Sequence, residues 1–363
     1  MIRTLSPKSG PRGILNSIVP SRPLYDAHCG GSFFVFFPCS HRYTAQVETF
    51  KSYSHLPALS VPERIEYLRK QGFIGNEDTS TEDEEALSRV VFHFLMGYAR
   101  NFRKKFGTTT LQELLEIYQL DQQVSLKIFE GVQMVERRLR QCYVEAYVKR
   151  FSPYGVYLQD DSYQLLNMDG QSVAVQIRRQ ILRSSESYIQ HKADPLCQKW
   201  GMTRKELAGS RNTARQIEAL VELPIWATID WWSFGTLAKA ISSFRGPVSS
   251  VADDALLWKG IAGQCGVSQR IFIGQLEGVT VLRNLVGHHN RLWMRPSVST
   301  PRIPNIYRQE NRSTHPKSMY VPMLTLASFL EGMGHGRTFK NELDELLAEN
   351  LRYKEGIRQI GAN

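Results

Sequence analysis

Between Leu111 and Ala146 apolar residues return at steps of three and four: Leu111, Leu114, Leu115 and Tyr118, then Leu126, Phe129, Val132, Val135, Leu139, Cys142, Tyr143 and Ala146. Residues so spaced share one side of a helix, whereas a strand needs a period of two. The stretch therefore predicts two helices or one long broken one. Similar spacing recurs in "SVAVQIRRQILRSSESYIQHKA", "NTARQIEALVEL", "IFIGQLEGVTVLRNLVG", "MLTLASFLEGM" and "TFKNELDELLAENLRY", and strand signals are almost absent. No repeat of fixed period appears. These patterns predict an all-α bundle.

Local punctuation sets the boundaries. In "SVPERIEYLRKQGF" Ser60 is an N-cap, Pro62 lies in the first turn, Glu63 completes a capping box and Gly72 closes the helix. An acidic linker, "NEDTSTEDEEA", leads to "LSRVVFHFLMGYARNFRKKF", which reads as one long, mostly buried helix with a basic end. Loops are expected at about 152–172 and, punctuated by prolines, at about 296–322. In "LPIWATIDWWSFGTLAKAISSF" Pro224 marks a first turn and Gly235 a break. Residues 1–50 are rich in Pro, Gly and Ser and show no period. They read as a poorly ordered extension before a domain at 51–355, with translation from a later start as the alternative.

The formal net charge of +10 favours a polyanionic partner, nucleic acid or a membrane surface. The greasiest run, "FFVFFP", is too short to span a bilayer, and it is too far in and too short for a secretory signal. Five scattered cysteines, Cys29, Cys39, Cys142, Cys197 and Cys265, suit a reducing compartment, and the cytoplasm is the expected location. His28, Cys29, Cys39 and His41 lack the paired spacing of zinc ligands, so no metal and no cofactor is expected.

The stretch "VLRNLVGHHNRLWMR" at 281–295 crowds polar chemistry onto a helix end. Phe272, Leu276, Val279, Leu282 and Val286 form its buried face, and Arg283 interrupts that face at the edge. Arg283 and His288 are five positions apart, about 140° around an ideal helix, and share no face unless Gly287 turns the chain. Read blandly, Arg283 lays its stem along the core and His288 caps the last carbonyls. Read chemically, the pair suits phosphodiester cleavage in RNA. Imidazole moves a proton near neutral pH, guanidinium grips phosphate oxygens, and the RNA 2′-hydroxyl is the nucleophile.

"LRNLVGHHNRLWMRP" resembles the C-terminal motif of the Abi-like abortive-infection family, whose fold is related to the HEPN all-α domains. The motif runs Arg, polar residue, short spacer, His: here Arg283, Asn284 and His288, continued by Asn290–Trp293. "ERIEYLRKQGF", "FHFLMGYARNFR", "LLEIYQLDQQVSLKIFEGVQMVERRLR" and "LPIWATIDWWSFGTLAKAI" resemble further family blocks, in order from about 56 to 295. Two positions depart from the pattern. "YQLDQQVSL" lacks the usual aromatic before the Asp and the Arg after it, and Asp230 stands where Glu is usual. The resemblance implies a HEPN-like bundle with additional helices, a motif region near 271–295, and a metal-independent endoribonuclease of phage defence. It also implies a homodimer whose two motifs form one composite site.

On this reading Arg283, His288 and Asn284 are catalytic. Arg140, Arg291, Arg103 and Lys104 are candidate RNA contacts, with Arg100 and Lys105 in the same basic track. Glu136 and His289 are supporting candidates, although an ordinary ion pair of Glu136 with Arg140 is the simpler account of both. Trp226, Trp231 and Trp232 could stack on unpaired bases, but their apolar neighbours Ile225, Ile229 and Phe234 favour core packing. Trp293 is expected to pack the turn. Two other functions stay open: a non-catalytic RNA-binding protein of the same fold, holding for example a regulatory RNA, and a toxin acting by protein contact. An antitoxin is a further conceivable partner; a membrane is not expected.

Overall fold

The computed structural model describes residues 59–164, 171–247, 256–310 and 312–361. The 1–50 extension, "FFVFFP" and the residues weighed for zinc lie outside them. Helix α1 (Val61–Lys70) starts as its caps require, with the Glu63 carboxylate accepting the Ser60 amide at 2.7 Å and Gly72 at φ +66°. The long helix expected next is two: α2 (Thr81–Ser88) and α3 (Phe92–Phe106). The break falls at Val90 and Val91, β-branched residues that favour extended backbone. Val91 adopts φ −70°, ψ 99°, and Val90 is buried.

The opposite holds for the next segment. Helix α4 (Leu111–Val148) runs unbroken for 38 residues from its Thr110 cap. Gly131, a natural point to break it, is buried, and a Cβ there would stand 2.7 Å from the Phe339 ring. Packing that needs a missing side chain holds the glycine inside the helix.

Beyond a loop with short turns at Val156–Leu158 and Asp160–Ser162 come α5 (Val173–Leu182), α6 (Ser187–Lys199), α7 (Arg204–Gly209) and α8 (Thr213–Leu220). Arg178, fully buried in α5, fastens that loop: it donates to the Leu158 carbonyl at 2.5 Å and to the Asp160 carboxylate at 3.1 Å. Then follow α9 (Ile225–Thr228), capped by Pro224, α10 (Phe234–Ser243), α11 (Leu257–Gln264) and α12 (Gln269–Gly287). The final elements are α13 (Tyr320–Leu330), a π turn at Glu331–His335, α14 (Thr338–Ala348) and α15 (Leu351–Ile357).

The fold is all-α, and the described residues include no strand, only isolated bridges. Helix α4 is the spine, packed by α3, α11, α12, α13 and α14. Helix α13 is buried at every position but Ser328, as a helix apolar all round must be. Among the described residues no helix is long and apolar enough to cross a membrane, and Cys142, Cys197 and Cys265 are free and buried.

Candidate functional site

Helix α12 buries Phe272, Gln275, Leu276, Gly278, Val279, Leu282 and Val286. It ends one residue later than the glycine suggested. Gly287 remains helical, His288 is the C-cap, and the left-handed residue is His289 at φ +53°. The His289 amide donates to the Val286 carbonyl at 3.1 Å and the Asn290 amide to that of Leu285 at 2.9 Å. This double closure requires a positive φ at the residue after the cap, so the chain reverses at His289 and not at Gly287. Asn284, His288 and His289 are all exposed.

The chain is caught again just beyond the turn. The Leu292 and Trp293 amides donate to the two oxygens of Asp121, at 2.9 and 3.0 Å. The hydroxyls of Tyr98 and Tyr353 donate to the same carboxylate at 2.5 and 2.6 Å. Asp121 is fully buried on α4, and burial pushes its carboxyl above the usual range while its four donors pull the other way. Trp293 is also fully buried, stacked near Tyr98 and Phe106, and so packs the turn.

Arg291, a candidate RNA contact, is placed in this network. It donates to the Trp293 carbonyl at 2.5 Å and lies 5.8 Å from the Tyr98 ring, and burial draws its pKa down. Sequence reasoning missed the role of Asp121. Its signal was present: Leu114, Ile117, Asp121, Val124 and Ile128 form one buried stripe, and a carboxylate in such a stripe needs donors from elsewhere.

Arg283 faces an open groove of about 470 Å³, which also takes in Glu136 and Arg140 of α4, Gln180 of α5 with its C-cap Arg183, and the turn Asp230–Ser233. Two sequence candidates one turn apart on α4 thus share a groove with a third, Arg283, from far along the chain. Arg140 pairs with Glu136 and donates to the carbonyls of Ile229 and, at 3.0 Å, Trp232. It clamps the Asp230 turn to α4. The Gln180 amide oxygen holds the same turn by accepting the Ser233 amide at 3.1 Å.

Among the described residues Arg283 has no such partner. Its Nε is buried without a hydrogen bond, and one terminal nitrogen lies 3.8 Å from the position a Cβ on Gly287 would take. Among the described residues no hydrogen bond or ion pair joins Arg283 to His288. A guanidinium whose donors are unpaired beside a polar groove has the chemistry to take a phosphate oxygen, although Glu136 and Asp230 line the same groove.

The remaining candidates lie apart from that groove. Arg100, Arg103 and Lys104 line a basic hollow with Gln71 and Phe73, where Arg103 donates to the Gln71 carbonyl and sits 5.3 Å from the Phe73 ring. Lys105 pairs with Glu355 at 2.8 Å. The tryptophans divide. Trp232 is buried and Trp231 is partly buried, its indole nitrogen donating to the Tyr188 hydroxyl at 2.9 Å, while Trp226 is 52 % exposed. Among the described residues no three His, Cys, Asp or Glu side chains gather as metal ligands do.

The model of the Abi-like protein family matches residues 85–294. The chain belongs to that family. The Abi-like match takes in the spine helix, the groove, the α12 terminus and the chain as far as Met294, just past the amides that Asp121 holds. Helices α13 to α15 follow it, and one of them supplies Tyr353 to the network. Neither a curated protein nor a solved structure matches the chain.

Proposed function

We propose that this Abi-like protein is a metal-independent endoribonuclease of abortive infection, a toxin-like phage defence, working in the cytoplasm. The observation that carries the reading is the guanidinium of Arg283, unpaired among the described residues in a polar groove, five residues before an exposed imidazole, His288. Arg283 grips the nonbridging oxygens of the scissile phosphate as charge builds on them. The 2′-hydroxyl oxygen attacks phosphorus while an imidazole removes its proton. The bond from phosphorus to the 5′-oxygen breaks, and an imidazolium protonates that oxygen. The products are a 2′,3′-cyclic phosphate and a 5′-hydroxyl end. Asn284, exposed on the same turn, positions Arg283 or His288, and the basic hollow at Arg103 and Lys104 tracks the RNA backbone.

This chemistry needs one imidazole to take a proton and another to give one. A homodimer supplies both, with His288 of each protomer in one composite site. Support for that partner comes from α4. Asp121 meets Leu292 and Trp293, and Glu136 and Arg140 line the same groove as Arg283, so α4 runs beside the motif. Between those anchor points α4 leaves Leu126 71 % and Phe129 36 % exposed, an apolar pair available to a second copy.

The test is induction of wild type, His288→Ala and Arg283→Ala under tight control, with growth followed and 5′ ends of total RNA mapped. Arrest with new 5′-hydroxyl ends, both lost in each variant, is the expected result. Arrest that survives both substitutions, or ends bearing 5′-phosphates, overturns the mechanism.

A further inference from the structure

The groove that holds Arg283 does not stop at the Asp230 turn. A second hollow, of about 330 Å³, adjoins it, sharing Arg140 and Asp230 as lining. Its walls are Arg137, Gln141 and Val144 of α4 and, from α9, Trp226. Arg137 to Val144 spans about 10 Å along the helix. The two neighbouring hollows thus hold, in the first, a guanidinium unpaired among the described residues and, in the second, an indole.

The indole is the unusual part. Its neighbours in the same short segment, Ile225, Ile229 and Trp232, are buried, so the segment has its core contacts without Trp226. Trp226 instead shows half its surface to solvent. It meets the half-exposed ring of Tyr154 at 6.4 Å and 64°, an edge contact that steadies one side of the indole. Arg137, exposed beside it, forms no hydrogen bond or ion pair among the described residues. Asp230 and Glu145 also line the hollow, so its field is mixed and does not by itself select a polyanion. A braced aromatic with one cation nearby, in a hollow adjoining a groove that holds a guanidinium, is how proteins seat an unpaired base.

We propose that Trp226 is a stacking platform for one unpaired base of the RNA strand whose phosphate Arg283 holds, making the enzyme selective for single-stranded substrate. The inference rests on the ribonuclease reading and adds a specificity residue to it. In duplex RNA every base is already stacked and paired, so the platform has nothing to receive.

The experiment uses the full chain carrying His288→Ala, which leaves RNA uncut, and a fluorescent unstructured RNA of about 12 nucleotides, alone and annealed to its complement. Adding Trp226→Ala should weaken single-strand binding about 5- to 100-fold and leave duplex binding unchanged, whereas Trp226→Phe should stay within about threefold of the parent. The loss should persist between roughly 50 and 200 mM salt, because stacking releases no counterions. A Trp226→Ala protein that binds single strands as tightly as its parent overturns the platform and leaves the roles of Arg283 and His288 standing. So does an equal loss on duplex, which reports general damage, or unchanged RNA affinity with loss of a co-purifying protein, which reassigns the patch to protein docking. A parent that binds neither RNA overturns the ribonuclease reading and the platform with it.

Discussion

Replacing Tyr353 by Phe removes one oxygen atom that lies 232 positions from its partner in the chain. The Tyr353 ring is fully buried and its hydroxyl donates to Asp121 at 2.6 Å. Phe keeps the ring, so no sizeable cavity opens, and what is lost is one hydrogen bond to a buried carboxylate. Where the carboxyl is ionised, such a bond contributes about 1.5–3 kcal/mol. At about 2–4 °C per kcal/mol for a large domain, the melting midpoint should fall by roughly 3–12 °C.

The loss should depend on pH. Burial holds the Asp121 pKa above its unfolded value, so its contribution is fully present below about 3.9 and is lost as pH climbs through the folded value. Removing a donor to the carboxylate raises that folded value further. The penalty of Tyr353→Phe should therefore be smallest near pH 4 and grow as pH rises through the shifted value. Urea unfolding across that range measures it. Combining the change with Tyr98→Phe should give non-additive losses, since both hydroxyls meet one carboxylate. A loss under about 0.5 kcal/mol at neutral pH would refute the idea that Asp121 clamps the chain beyond the motif.

Other outcomes follow from single contacts. His288→Ala should abolish RNA cleavage and change stability by no more than about 0.5 kcal/mol, because the side chain is exposed; a large fall in melting midpoint would mean that its role is structural. His289→Gly should stabilise the protein by up to about 1 kcal/mol in urea unfolding, because glycine adopts φ +53° without strain; destabilisation would show that the imidazole makes a contact that matters. Gly131→Ala should cost about 1–3 kcal/mol, its Cβ meeting Phe339 at 2.7 Å and Leu326 at 3.2 Å, with a smaller ring at 339 restoring part of the loss. If two chains form the site, Leu126→Asp with Phe129→Asp should shift the protein toward monomer in sedimentation and silence cleavage together. Full activity as a monomer would dismiss the composite site.

Much of this protein was legible locally. Ser60, Pro62, Glu63 and Gly72 bounded α1, and apolar spacing alone required helices, because caps and periods act within a few residues. The family block at 283–293 was equally legible as a string. The positions of its parts were not. Whether Gly131 breaks α4 depended on Phe339, and where α12 ends depended on a closure that used His289.

The groove joins residues 136, 140, 180, 230 and 283, and the clamp joins 98, 121, 292, 293 and 353. Trp226 could be separated from Trp231 and Trp232 only by its exposure. The amino-acid sequence alone determined that the chain is helical and where helices such as α1 and α9 begin, since these follow from forces acting over a turn or two. Which side chains meet was decided only by tertiary packing, because a buried carboxylate or an open groove exists only once distant helices have come together.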